Sequence, residues 1–182
     1  VCVITSRQRY DEPKASLPAS EEVSRVKIHR VWSSNFGRGN LLGRFFDYLT
    51  FYASVLCKLL VLVCKGDRIV AMTDPPLISA VALVAAKVKG AQLINWIQDV
   101  FPEVAIALGV HSTNGLCGDF LKRVRNFSLE NALMNVAIGK RMADYLASQG
   151  VDEKKIHVIH NWMDGGAIRP VMRDRNKLLK EW

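Results

Sequence analysis

Five short runs rich in β-branched and apolar residues, VCVIT (1–5), DRIVAM (67–72), AQLINWI (91–97), NVAIG (135–139) and IHVIH (156–160), constrain the fold most. They are apolar almost continuously rather than at every second position, as strands buried on both faces are. Between most of them, apolar residues recur at helical spacing over 41–65, 76–89, 115–134 and 140–149. Gly90 and Gly150 stand at C′ positions of two of these helices. Strand alternating with helix implies right-handed crossovers, and therefore a parallel sheet covered by helices on both faces. The expected fold is α/β, a Rossmann-like doubly wound, mainly parallel sheet. A sixth run, VKIHRV (26–31), is broken by His29 and Arg30 and suits an edge strand. The polar stretch 6–20, with two prolines, predicts a mobile surface loop. Residues 1–160 read as one domain, and NWMDGGAIRPV (161–171) as a linker leaving it.

At 182 residues and 49% hydrophobic content the chain has the material for a core. Its 25 Lys and Arg against 17 Asp and Glu, net +8, favour an anionic partner: nucleic acid, a phosphorylated metabolite or an acidic membrane surface. Nucleic acid is disfavoured, because there is no helix-turn-helix, zinc-finger or RNP signature. Nor is there a GxGxxG, a Walker loop or a G-x-S-x-G elbow. Cys2, Cys57, Cys64 and Cys117 form no CxxC, and Cys57 and Cys64, seven apart on a helix, would sit roughly 10 Å apart, too far for a disulfide. A reducing, cytoplasmic setting follows. His29, His111, His157 and His160 share no ligand spacing, so no metal is expected. Val1 lies inside a strand-like run with no charged n-region before it, which predicts no signal peptide. Both ends read as severed.

In open α/β sheets the ligand crevice lies outside the carboxyl ends of the strands. That edge should carry Ser6 and Arg7, Thr73 and Asp74, Gln98 and Asp99, Lys140 and Arg141, and Asn161. Asp99 has two readings: a cap for the turn containing Pro102 and Glu103, or a carboxylate that holds or deprotonates a substrate hydroxyl. Asp74, followed by two prolines, is the expected start of the next helix. Lys122, Arg123 and Arg125, with Arg7, Arg9, Arg38 and Arg44, read either as solvated charge or as contacts to a phosphate or anionic membrane. Residues 42–63 carry a long apolar stripe, interrupted by Asp47 and Lys58. Those charges would each cost about 2.5–3.5 kcal/mol at a bilayer centre. The stripe therefore reads as a crossover helix, or as one that also rests on a membrane interface.

TSRQRY, FGRGNLLGRFFDYLTFY, TDPPL, NWIQDVFPE, VAIGKRM and VIHNWMD occur in this order. With them the chain resembles bacterial family 4 glycosyltransferases of the GT-B fold, of the O-antigen, colanic acid and exopolysaccharide type. The resemblance implies an N-terminal, acceptor-side half, with 161–182 as interdomain linker and start of a C-terminal domain. It implies retaining transfer from a nucleotide sugar, usually UDP-linked, to a polyprenyl-phosphate-linked or saccharide acceptor. No metal or other cofactor is implied, and the expected location is cytoplasmic, peripheral at the inner face of the cell membrane. Asp99 would face the transferred sugar or the acceptor hydroxyl. Thr73, Asp74, Gln98 and Glu103 would shape the acceptor side, with Asn161 near the cleft. Arg7, Arg44, Lys122, Arg123 and Arg125 would meet membrane or phosphate. The family pattern also has an opening strand, glycine-rich loop and first helix ahead of Val1, a donor-binding half beyond Trp182, and proline where His160 stands. From a different class, the alternative is a non-catalytic Rossmann-like domain that binds an anionic lipid or a protein partner.

Overall fold

The computed structural model describes residues 1–8, 17–36, 41–110, 115–166, 168, 170, 172–175 and 179. The strands form two sheets. In the first, β1 (Cys2–Ser6) runs parallel to β3 (Val26–Val31), with Val3 opposite Ile28, and β2 (Ser20–Val23) pairs antiparallel on the far side of β3. The second is wholly parallel, in the order β4 (Arg68–Ala71), β5 (Gln92–Ile97), β6 (Met134–Ala137), β7 (Ile156–Val158). Helices α1 (Leu41–Leu62), α2 (Ile78–Lys89), α4 (Gly115–Asn131) and α5 (Lys140–Ser148) follow β3, β4, β5 and β6, with a short α3 (Glu103–Ala107) just after β5. This is an α/β fold with a parallel four-strand sheet flanked by helices.

The run 26–31 is central rather than an edge. The polar stretch ahead of it ends in a strand, so β3 is paired on both sides, and Arg30 forms an ion pair with Glu21 of β2. SEEV is too short and too polar to announce a strand. Residues 9–16 of the expected loop lie outside the described residues; where it leaves β1, the Arg7 amide donates to the Val31 carbonyl at 3.2 Å and the Leu17 amide to the Arg7 carbonyl at 2.9 Å. The β2–β3 turn is two residues long, and both Ser24 and Arg25 sit at positive φ, 51° and 66°. That is the sign a type I′ hairpin needs, and L residues other than Asn and Asp adopt it at a cost. Replacing the pair with Asn-Gly is therefore expected to stabilise the chain by about 1 kcal/mol, a rise of roughly 3 °C in Tm by calorimetry.

Helix α1 joins the two sheets. Its inner residues Val55 and Leu59, with Val63 just past its end, pack with Val31 of β3, Ala71 of β4, Leu93 of β5 and Ala82 of α2 in one core. A second cluster gathers Ile97, Leu129, Ala137, Leu146 and Val151. Strand residues alternate between faces, so Leu93, Asn95 and Ile97 share one face of β5 and Ile94 and Trp96 the other. Helix α2 packs against β4 and β5 and helix α5 against β6 and β7, while α1 and α4 flank α2. On the other face of the sheet, Val70 and Trp96 remain 56% and 36% exposed.

Gly90 closes α2 at φ 66°, its amide donating to Ala86, as the sequence indicated. The other end of α2 differs. The helix begins at Ile78, its N-cap is Leu77, and no side chain caps it. Asp74 is not the cap, because Asp74–Pro75–Pro76 precedes the first turn as a separate loop with a cis Asp74–Pro75 bond. All four cysteines are free and exposed.

Candidate functional site

The carboxyl ends of β4 and β5 present two adjacent loops. Thr73 links them: its hydroxyl oxygen accepts from the amides of Gln98 at 3.3 Å and Asp99 at 3.4 Å. The first loop is also held from α1, where the Tyr52 hydroxyl donates to the Pro76 carbonyl. Burial, together with Tyr48 and Asp74, pushes the Tyr52 phenol up, so it stays a donor across the ordinary pH range. The second loop meets the linker, since the Asn161 amide donates to Gln98 Oε1 at 3.0 Å across 63 residues. Next to it His160 Nδ1 lies 3.0 Å from the Ile138 carbonyl, so the chain leaving β7 is tied back over the edge. Thr73, Gln98, Asp99 and Asn161 are thus brought together.

Asp99 is exposed, and among the described residues no side chain or backbone donor meets its carboxylate. It does not cap α3, whose N-cap is Pro102 with no side-chain hydrogen bond. The capping reading of Asp99 therefore fails, and Asp99 instead contributes to the lining of a small cavity with Thr73, Leu77, Ser79, Ile97, Val100 and Phe101.

Glu103 is engaged within the protein. It pairs with Arg125 Nη1 at 2.5 Å and accepts from the Tyr145 hydroxyl at 2.7 Å. Burial alone would push Glu103 up, but Tyr145, a backbone amide and Arg125 outweigh it and hold the carboxyl below its usual range. Burial and the bond to Glu103 push the Tyr145 phenol up. Arg125 also donates to the Phe101 carbonyl at 3.2 Å. Its expected place in a surface cluster is corrected: Arg125 is only 7% exposed, because its position on α4 turns it to Phe101 and Glu103 rather than to solvent. Arg123 is exposed and Lys122 half-buried on other sides of the same helix. Arg44 is exposed on α1, and Arg7 is half-buried with its Nε donating to Leu17. Arg9, Arg38 and His111 lie outside the described residues.

Beneath the edge, Asn95 donates to Asn135 Oδ1 at 2.9 Å, and Asn135 donates to the Leu129 carbonyl at 3.0 Å, all buried. This pair locks β5, β6 and the end of α4 under the site. The signal was present in the sequence: one Asn inside each of two apolar runs, LINWI and MNVAI, polar where a buried strand demands a partner. Tyr145 had no comparable signal. Among the described residues no group of three His, Cys, Asp or Glu is placed to hold a metal.

No curated protein matches the chain. Among solved structures, it is similar to Anabaena HepE (Alr3699) in complex with UDP, at 16% identity and a TM-score of 0.47, over 76% of this chain and 31% of that one. The chain thus spans about a third of that structure's length. Residues 1–162, strands, helices and both edge loops included, match the glycosyl transferase 4-like domain, and the chain belongs to that family.

Proposed function

We propose that this chain is the acceptor-side half of a glycosyltransferase that moves a sugar from a nucleotide sugar, UDP-linked, to a lipid- or saccharide-linked acceptor in cell-envelope polysaccharide synthesis. The observation that carries the reading is the exposed Asp99, whose carboxylate has no hydrogen-bond partner among the described residues, held at the strand edge by a loop that is itself fixed to Thr73 and Asn161. In the transfer, the acceptor oxygen bonds to the anomeric carbon as the bond to the nucleotide phosphate breaks. The hydroxyl's proton passes to the Asp99 carboxylate or to the leaving phosphate oxygen, and the nucleoside diphosphate departs with the electron pair. Asp99 would orient that hydroxyl or the transferred sugar. Thr73, Asp74 and Gln98 would shape the acceptor side, and Glu103 would act by holding α3 in place through Arg125. Retention of configuration, independence of metal, and a peripheral position on the cytoplasmic face of the membrane belong to the same proposal and rest on the family resemblance.

The test is transfer of labelled sugar from UDP-sugars to lipid-linked and soluble saccharide acceptors by the full-length protein. Product with neither acceptor class would overturn the reading. Within it, Asn161→Ala should lower kcat/KM about tenfold by loosening the loop that carries Asp99. Its stability should change by no more than ~0.5 kcal/mol, since the contact is exposed. Steady-state kinetics beside thermal melts check both.

A further inference from the structure

Asn95 and Arg125 are 2% and 7% exposed, and both line the small cavity that Thr73 and Asp99 also line. Their neighbours fix which way the Asn95 amide points. The Leu129 carbonyl can only accept, so Asn135 turns Nδ2 to it and Oδ1 to Asn95, and Asn95 must answer with its own Nδ2. Asn95 Oδ1 is left over. It is buried and has no hydrogen-bond partner among the described residues.

Arg125 has a donor to spare. Its Nε donates to Asn126 Oδ1 at 3.0 Å, and its Nη1 to both the Phe101 carbonyl at 3.2 Å and Glu103 at 2.5 Å. The N–H groups on Nη2 remain, buried and without a partner among the described residues. An acceptor and a charged donor, each costly to bury unpaired, thus line one cavity without meeting each other.

Size and chemistry select what fits between them. About 30 Å³ of the cavity is open to a solvent-sized group. That exceeds the roughly 10–15 Å³ one water needs and falls far below the roughly 300–1,000 Å³ of a pocket enclosing an organic ligand. An anion would suit Arg125 but not the Asn95 oxygen, and a cation the oxygen but not the guanidinium. Water suits both, because it donates and accepts at once. Thr73 and Ser79, on the same lining, supply further hydroxyls.

We propose that a buried water bridges Asn95 Oδ1 and Arg125 Nη2, and that through it β5 positions the loop bearing Asp99. The link is short: Asn95, the water, Arg125 on α4, then the Phe101 carbonyl two residues past Asp99. It joins the chain Asn95–Asn135–Leu129 to the cluster Arg125–Glu103–Tyr145, so one polar network runs beneath the strand edge from β6 to α5. A buried network holds its parts rigidly when every member is satisfied. Asn95 is thereby a positioning residue. The water site stands on these contacts alone; only its effect on transfer rests on the proposed function.

A high-resolution crystal structure of the full-length protein tests the site. One solvent peak should lie within about 3.2 Å of both Asn95 Oδ1 and Arg125 Nη2. No peak, direct contact between the two residues, or another side chain in the space would overturn it. Asn95→Leu, similar in size, should remove the peak and raise amide hydrogen exchange at residues 99–103 about tenfold, with the β1–β3 sheet unaffected. If that variant melts too low to study, Asn95→Val serves the same comparison. In sugar transfer the variant should lower kcat about tenfold and leave the KM for the UDP-sugar unaltered. Ser128→Ala removes another buried, partnerless hydroxyl of α4 that is not on the cavity lining, and should alter neither. Faster exchange in all regions alike, or an unchanged kcat, would overturn the positioning role. A water at the site in a protein that transfers no sugar would sink the proposed function and leave the site standing; transfer without the water would do the reverse.

Discussion

Asp99→Ala in the full-length protein is expected to lower kcat by about 10²–10⁴-fold, the range for losing a positioned acid–base group. The fold should survive. Asp99 is exposed, caps no helix, and makes only one described contact, through its backbone amide, which alanine retains. Stability, read from thermal melts, should therefore stay within the roughly ±0.5 kcal/mol usual for surface substitutions. Asp99→Asn separates two roles. If the carboxylate only orients a hydroxyl, the amide keeps much of the rate; if it takes the proton, Asn is as damaging as Ala. Unchanged turnover in both variants would remove Asp99 from the chemistry.

Arg125→Met is expected to produce the largest loss of stability, about 3 kcal/mol. That is a large share of the 5–15 kcal/mol that holds a typical domain together, and a fall of roughly 10 °C in Tm. Arg125 is 7% exposed and serves both Glu103 and the Phe101 carbonyl, so methionine fills its space but leaves the carbonyl without this donor and the Glu103 carboxylate without its cation, held by Tyr145 alone among side chains. The penalty should depend on pH in one direction. Glu103 is held below its usual range in the folded chain. Its contribution is therefore fully present above the unfolded value of about 4.3, and is lost as pH falls below that value and through the depressed folded one. The gap in Tm between parent and Arg125→Met should be widest at neutral pH and narrow on acidification. A gap that is constant with pH would mean that packing, not the Glu103 charge, sets the cost. Since Glu103 and Arg125 fix α3 and the Phe101 carbonyl directly after Asp99, the variant should also lose activity at temperatures where it remains folded.

Among the described residues, five of the seven strands and all four long helices were legible in the apolar runs and their spacing, and VKIHRV was legible as a strand though not as a central one. β2 was hidden, because SEEV has neither the apolar content nor the length of a strand and forms only by pairing with β3. The gathering of polar residues at the strand edge was half legible. The crevice rule placed Thr73, Gln98, Asp99 and Asn161 at one edge, and three hydrogen bonds now connect them. Asp74 and Arg125 misled for the same reason: local pattern shows what a residue could do for its own helix, not what stands opposite it. The Pro-Pro pair delays α2, and α4 turns Arg125 toward Glu103 and Phe101.

By itself the sequence determined the elements and the edge at which polar residues collect, because periodicity and crossover handedness act locally or through chain connectivity. Only the tertiary structure decided which charges are engaged and which are open to a partner. Asp99 and Glu103 are four residues apart on the same loop and short helix. One meets solvent and the other a buried guanidinium, because α4, brought back across the sheet from more than twenty residues away, presents Arg125 to Glu103 alone.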